Sequence, residues 1–430
     1  MCQTGPLLAE KIIGNLRKMI NDTTRTILHC DMNGFYASVE LLDYPQYRNV
    51  PMAVCGNPDS RHGIILAKND LAKKYKVTTG ETLGMAQKKC PTLVCVEPHH
   101  RKYNKYSKLI NQIYLRYTDM VEPFSIDESW LDVTASLKLF GSGKDIADEI
   151  RETVKKELGL TLSAGVSYNK FLAKMGSEHK KPDATTVIDQ SNLRSLLWPK
   201  KIEDMFFVGK KTAAVLRKNH IYTIGQLAQA DRNVIAALLG RNGGLIHDYA
   251  NGIDNTPVAL FDHREKAKSI GHSITFSRNL TNLDEIKTGL SWLCDRVTMR
   301  LRKAEMKANG LRVEIRYATF NEISKQKQFD QPTNLEKDFF RESFSIIEKM
   351  WQRQMPIRLL SVSAINLVDE NSEEQLSMLS GFSIEERQEH EKFERTLDDI
   401  RNKFGTGSIE FGRTLSGGLG LSRDSKKFKD

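Results

Sequence analysis

The chain has no apolar run approaching the roughly 20 residues a helix needs to cross a bilayer. Its opening stretch LLAEKIIGNLRKMI is broken by Glu10, Lys11, Arg17 and Lys18, which makes it an amphipathic helix rather than a signal peptide. The expected partners therefore include no membrane. Cysteine is sparse: six residues, at 2, 30, 55, 90, 95 and 294, with no CxxC spacing. That pattern excludes a disulfide framework and a zinc site, and a cytoplasmic location is expected. Acidic excess is also lacking, because Lys+Arg of 64 against Asp+Glu of 54 leaves a net charge of +10. Such a balance favours a polyanionic partner such as nucleic acid, the competing reading being an ordinary soluble basic protein.

The chain is 430 residues long and 40% hydrophobic, enough for several cores, so three or four compact units are expected. From 26 to 186, strand-like runs (TILHC, PMAVC, GIILA, TLVCV, SWLDVT, TLSAGVS) alternate with helical stretches such as ADEIRETVKKEL, which predicts an α/β unit with an insertion at about 46–96. Short helices, as in VGKKTAAVLRKN and GQLAQADRNVIAALLG, take over from 187 to 260. After a polar linker, residues 268–370 read β-α-β-β-α-β, with a long helix over 284–308, and predict a four-stranded antiparallel sheet with both helices on one face. In LRVEIRY, alternation turns Leu311, Val313, Ile315 and Tyr317 inward and Arg312 and Arg316 outward. Residues 1–25 form an N-terminal extension, and 371–430 a polar tail with one helix near 383–403 and an unstructured Gly/Ser/Lys-rich end.

Two stretches carry the chemistry. In HCDMNGFYASVE, Asp31 closes a strand-like run, and in FSIDESWLDVT, Asp127 and Glu128 stand side by side ahead of a strand. Adjacent carboxylates near a buried strand are costly unless a cation neutralises them. Three carboxylates suit hard Mg²⁺, and a pair of such ions can clamp the attacking and leaving oxygens of a phosphoryl transfer. Taken singly, the motifs also fit a turn cap at Asp127-Glu128 and a lysine pair at Asp31.

Together with SAGVSYNKFLAKMGSEHKKPDA and ALLGRNGGLIHDYANGID, these motifs resemble the Y-family (lesion-bypass) DNA polymerases, most nearly the DinB type, in order from about 26 to 370. The resemblance implies a right-hand fold: a palm at 26–186, small fingers at 46–96, a helical thumb at 187–260 and a little finger at 268–370. It implies Asp31, Asp127 and Glu128 as catalytic ligands of two Mg²⁺ ions, with the Met32 carbonyl as a further ligand. Asn33, where many relatives have Asp, is not an expected ligand. Tyr36 is implied as the steric gate against ribonucleotides, with Phe35 as packing beside it. Lys181 is implied to reach the triphosphate, and Leu66 to roof the nascent pair. The family's Asn-Tyr-x-x-Arg run is here Asn69-Asp70-Leu71-Ala72-Lys73, so Lys73 replaces the charge but not the bidentate fork of Arg.

Eleven Lys/Arg against five Asp/Glu between 163 and 218 suit a DNA backbone. FFVGKKTAAVLR resembles a helix-hairpin-helix whose Gly209, Lys210 and Lys211 would meet phosphates, although Phe207 stands where a first glycine is common. Arg312 and Arg316 are further DNA-binding candidates. In the tail, Gln375, Leu376, Ser377, Met378 and Leu379 resemble a sliding-clamp peptide. Primer-template DNA, dNTPs and a clamp are thus the implied partners of a monomer without an apparent exonuclease domain. An inactive DNA-binding relative and another palm-fold phosphotransferase, such as a nucleotidyl cyclase, are the alternatives.

Overall fold

A computed structural model describes residues 25–56, 63–263, 266–370, 384–415 and 418–421. The amphipathic N-terminal stretch and the peptide at 375–379 lie outside the described residues. The described chain divides into two compact units, up to 263 and from 266, fewer than the three or four expected from length.

The first unit holds β1 (Ile27–Met32), β2 (Met52–Cys55), β3 (Ile65–Lys68), β4 (Val94–Val96), β5 (Val121–Pro123), β6 (Glu128–Asp132), β7 (Leu162–Ser167) and β8 (Thr185–Val187). Five form one sheet in the order β5-β6-β1-β7-β8, antiparallel except for the β7–β8 pair. Central β1 is buried at all six positions, which is why ILHCDM reads as a run and not as an alternation. Helices His100–Tyr114 and Gly143–Leu158 cover one face through Tyr103, Ile110, Ile146 and Ile150, packed on Leu28, Cys30 and Leu162.

Helix Lys170–Ser177 lies against β7 and β1. Its approach requires glycine: a Cβ on Gly165 would stand 1.9 Å from the Ala173 carbonyl oxygen, and one on Gly176 would stand 3.0 Å from the Gly165 Cα. This close seating delivers Lys174 and Ser177 to the buried end of β1.

The insertion builds its own sheet, β3-β2-β4, over Ala53, Ile65, Ala72, Leu83 and Leu93. Asn69 starts the helix Asp70–Lys74 by accepting from Ala72 N–H at 3.0 Å, and its amide donates to the Val50 carbonyl at 2.8 Å. Residues 193–250 supply the helices Leu193–Leu197, Lys210–Lys218, Ile224–Gln229, Arg232–Leu239 and Arg241–Ala250, closed over Leu197, Leu216, Ile224, Leu227, Ile235 and Ile246.

The second unit has the β-α-β-β-α-β order: β9 (Ser269–Leu280), helix Leu283–Lys303, β10 (Met306–Tyr317), β11 (Glu322–Thr333), helix Glu336–Met350 and β12 (Ile357–Asp369). Its antiparallel sheet runs β11-β10-β12-β9. Leu311, Val313, Ile315 and Tyr317 are buried with residues of both helices, as alternation predicts. The long helix stops at Lys303, short of the expected 308, because Glu305 turns into the left-handed region at φ 54° and Met306 begins β10.

Helix Ile384–Phe404 docks by charge. Arg302 forks onto Asp398 at 2.6 and 3.1 Å and also meets Glu394, while Arg401 returns the arrangement to Asp295 at 2.8 and 3.1 Å. Within the Gly/Ser/Lys-rich end expected to lack structure, Leu419 is only 4% exposed and joins the core, and its carbonyl accepts from Ser277 N–H of β9 at 3.2 Å.

Candidate active site

Strand register sets the carboxylates. Asp31 pairs directly across from Glu128 in the β1–β6 ladder, and Asp127 precedes β6 with its carbonyl accepting from Met32 N–H at 3.1 Å. Ligand atoms of Asp31, Glu128 and Glu178 lie within 4.8 Å of one another. Glu178 belongs to the quoted SEHKKPDA stretch but is not among the ligands expected from the sequence, and its Lys174 partner stands four residues earlier. Asp127 is not part of that group. Its carboxylate accepts from the Ser125 hydroxyl at 2.7 Å, and burial, with Asp31 and Glu128 nearby, raises its pKa.

Two ammoniums balance the cluster. Lys174 Nζ reaches Asp31 at 3.1 Å, Glu128 at 2.9 Å and Glu178 at 3.1 Å, and Lys181 Nζ reaches Asp31 at 2.9 Å and Glu178 at 3.0 Å. Burial alone would raise the Glu128 carboxyl, but His29 and Lys174 more than reverse this and hold it at about 2. Burial lowers the His29 imidazole. Its Nδ1 pairs with the Ser177 hydroxyl at 2.8 Å, whereas Nε2 is a buried orphan 3.7 Å from Glu128, outside hydrogen-bond reach. An all-oxygen donor set balanced by displaceable ammoniums fits a hard divalent cation.

Beside the carboxylates the chain turns sharply. Gly34 takes φ 55° to start the helix Phe35–Asp43. Phe35 is buried, and Tyr36 stacks on Tyr103 with centroids 4.0 Å apart and an interplanar angle of 13°. Asn33 braces the turn: its amide donates to the Ser163 hydroxyl at 2.9 Å, and its carbonyl accepts from Asp183 N–H at 2.9 Å. Asn33 thus ties the Lys181-bearing loop to the end of β1. The Lys68 carbonyl lies 3.4 Å from where a Gly34 Cβ would stand, so the end of β3 sits over this turn. Lys73 is exposed on the following helix and Leu66 is half-buried.

Gly209 precedes the helix Lys210–Lys218 in extended backbone, and Lys210 and Lys211 are exposed. A Cβ there would meet nothing within 4 Å, so the fold itself does not demand glycine at this turn. Arg312 contacts Gln326 at 3.4 Å and Arg316 pairs with Glu322, both across the β10–β11 hairpin.

Residues 30–178 match the impB/mucB/samB family and residues 267–378 its C-terminal domain. "DNA polymerase IV" of Acetivibrio thermocellus is 42% identical over 93% of this chain and 99% of its own length. "DNA polymerase IV 1" of Bacillus subtilis is 36% identical over 91% and 94%. Among solved structures, a Y-family DNA polymerase chimera superposes with a TM-score of 0.72 at 22% identity, covering 80% of this chain and 99% of that one, which shows the fold. With two ordered family matches and relatives similar along nearly their whole length, the chain belongs to the impB/mucB/samB family and is a Y-family DNA polymerase of the DinB type.

Proposed function

We propose that this chain extends DNA on a template without proofreading, in translesion synthesis: the primer 3′-hydroxyl attacks the α-phosphate of a dNTP and pyrophosphate leaves. The observation that carries the reading is the opposition of Asp31 and Glu128 across β1 and β6, with Glu178 in reach of both, in a chain of this family. The palm is 26–186 with fingers at 46–96, the thumb 187–260 and the little finger 268–370.

Asp31, Asp127, Glu128 and the Met32 carbonyl would hold two Mg²⁺ ions, with Glu178 at the margin. When bound, such ions supply charge stabilisation at the attacking and leaving oxygens. The chain's own residues do the rest. Lys181, on the Asn33-braced loop, follows the triphosphate, Lys73 adds a second cation from the fingers, and Tyr36, held flat by Tyr103, bounds the sugar. Gly209, Lys210, Lys211, Arg312 and Arg316 meet the DNA backbone. The enzyme is a cytoplasmic monomer that docks on a sliding clamp through Gln375, Leu376, Met378 and Leu379.

Extension of a plain primer-template with dNTPs, against an EDTA control, tests the reaction, and a panel of defined lesions reads bypass. Absence of extension by the parent chain overturns the reading. In the same assay Tyr36→Ala should let rNTPs compete, lowering discrimination by on the order of several kcal/mol. An unchanged preference would make Tyr36 a packing residue.

A further inference from the structure

Cys55, Cys90 and Cys95 all fall in the insertion that builds the sheet β3-β2-β4, and all are free thiols. β2 and β4 run parallel, with Ala53 opposite Cys95 and Val54 opposite Val96. Alternation puts Ala53, Cys55 and Cys95 on one face of this sheet, and the packing agrees. Cys55 belongs to the core with Ala53, Ile65 and Leu83, and Cys95 packs against that core, whereas Met52, Val54 and Val96 close a separate cluster.

Cys55 and Cys95 are thus diagonal neighbours across one strand gap, and their thiols are hydrogen-bonded to each other. Cys55 lies one residue past the last β2–β4 pair, and the β2–β3 register shifts at it, so its backbone stands outside the regular ladder and has freedom to adjust towards Cys95. The two thiols are not equivalent. Cys55 is 1% exposed, whereas Cys95 is half-buried and within reach of a small solute. The hydrogen bond that Cys55 donates lowers the Cys95 thiol against the opposing effect of burial, and the same bond, with burial, raises Cys55. A reachable sulfur with a stabilised thiolate beside a shielded, protonated one is the arrangement of an attacking and a resolving cysteine. Cys90 lacks it, being fully buried with its sulfur 3.8 Å from the Thr92 hydroxyl.

We propose that Cys55 and Cys95 form a reversible disulfide when the protein meets a hydroperoxide. The Cys95 thiolate attacks one peroxide oxygen: the O–O bond breaks, an S–O bond forms, two electrons pass from sulfur to the peroxide, and hydroxide leaves. The Cys55 sulfur then attacks the Cys95 sulfenic acid. The S–S bond forms, the S–O bond breaks, and the Cys55 proton departs with the hydroxyl as water. Excess thiol reverses the bond by exchange. The disulfide staples β2 to β4 and closes everything between them, including Leu66 and Lys73, into one loop. It goes beyond the polymerase reading and does not depend on it.

The test takes the full-length chain, reduced, desalted and exposed to hydrogen peroxide, with a maleimide blocking the remaining thiols before non-reducing digestion and mass spectrometry. The parent should yield a peptide pair joined through Cys55 and Cys95 and released by dithiothreitol. Cys55→Ala should remove the pair and raise several-fold the labelling of Cys95 by dimedone, which traps sulfenic acid. Cys95→Ala should remove the pair and leave Cys55 unlabelled, and Cys90→Ala should cross-link like the parent. Melting temperatures of the reduced forms show that the variants are folded, and the parent result stands without them. Recovery of parent Cys55 and Cys95 without that bond, whether blocked by maleimide, oxidised singly or joined to Cys90, would overturn the proposal.

Discussion

Two charged clusters lie under the surface of this protein, and they are built from different cations. Around Asp31, Glu128 and Glu178 the positive charges are lysines, Lys174 and Lys181. Between helices Leu283–Lys303 and Ile384–Phe404 they are arginines, Arg302 and Arg401, each forked onto a carboxylate. An ammonium is a mobile point charge on a flexible stem, whereas a guanidinium fixes two parallel bonds. The first cluster is therefore suited to exchanging its cations and the second to keeping them. Burial pushes their carboxyls differently too. Glu128 is held at about 2. Glu336 and Glu394 are pushed up to about 7, chiefly by burial, with neighbouring carboxylates adding to the shift and Arg302 opposing it at Glu394.

The largest effect should come from the exchangeable cluster. Glu128→Ala should reduce nucleotide addition on the order of 10³-fold or more while primer-template binding persists, because what is lost is stabilisation of charge at the reacting oxygens. Near-normal extension would break the contrast by making this cluster structural as well.

Next comes the fixed cluster. Arg302→Ala leaves buried Glu394 without its arginine and half-buried Asp398 with only Arg401 at 4.0 Å, and should cost about 3–5 kcal/mol, read by urea unfolding, with the helix Ile384–Phe404 becoming open to proteolysis. Retained stability and protection would mean that the helix docks by other contacts.

The smallest effect is a pH dependence. The folded-state pKa values of Glu336 and Glu394, about 7, lie above the ordinary 4.5. Their contribution to stability is thus fully present below about 4.5 and is lost as pH rises through about 7, a change on the order of 3 kcal/mol. Glu336→Gln should flatten this slope in urea midpoints taken between pH 5 and pH 8. A slope unchanged in the variant would assign the dependence elsewhere.

The sequence exposed the second unit most clearly, because β10 runs for 12 residues and β12 for 13, long enough for period-2 alternation to stand out. β5 and β8 escaped notice since each has three residues and lacks the apolar run that marks the equally short β4 in TLVCV. In the site, Asp31, Asp127 and Glu128 were legible because carboxylates beside apolar strands need an explanation. Glu178 was not, because a glutamate beside lysines on a helix has an ordinary one. The docking of Ile384–Phe404 was hidden for the same reason: Arg302, Glu394 and Asp398 are 92 to 96 residues apart in the chain, and charge pairing leaves no periodic mark.

One small contact has a consequence for handling this protein. The sheet of the second unit ends at β9, and an edge strand offers unpaired amides to any neighbouring chain. Here Ser277 spends its N–H on Leu419 and its hydroxyl on Gly418 at 3.0 Å, while the Leu419 side chain fills the adjoining core. A version of the chain cut before Gly418 would present that amide and an open apolar notch together. Such a truncation should show its defect first as concentration-dependent self-association, visible in light scattering before any loss of catalysis.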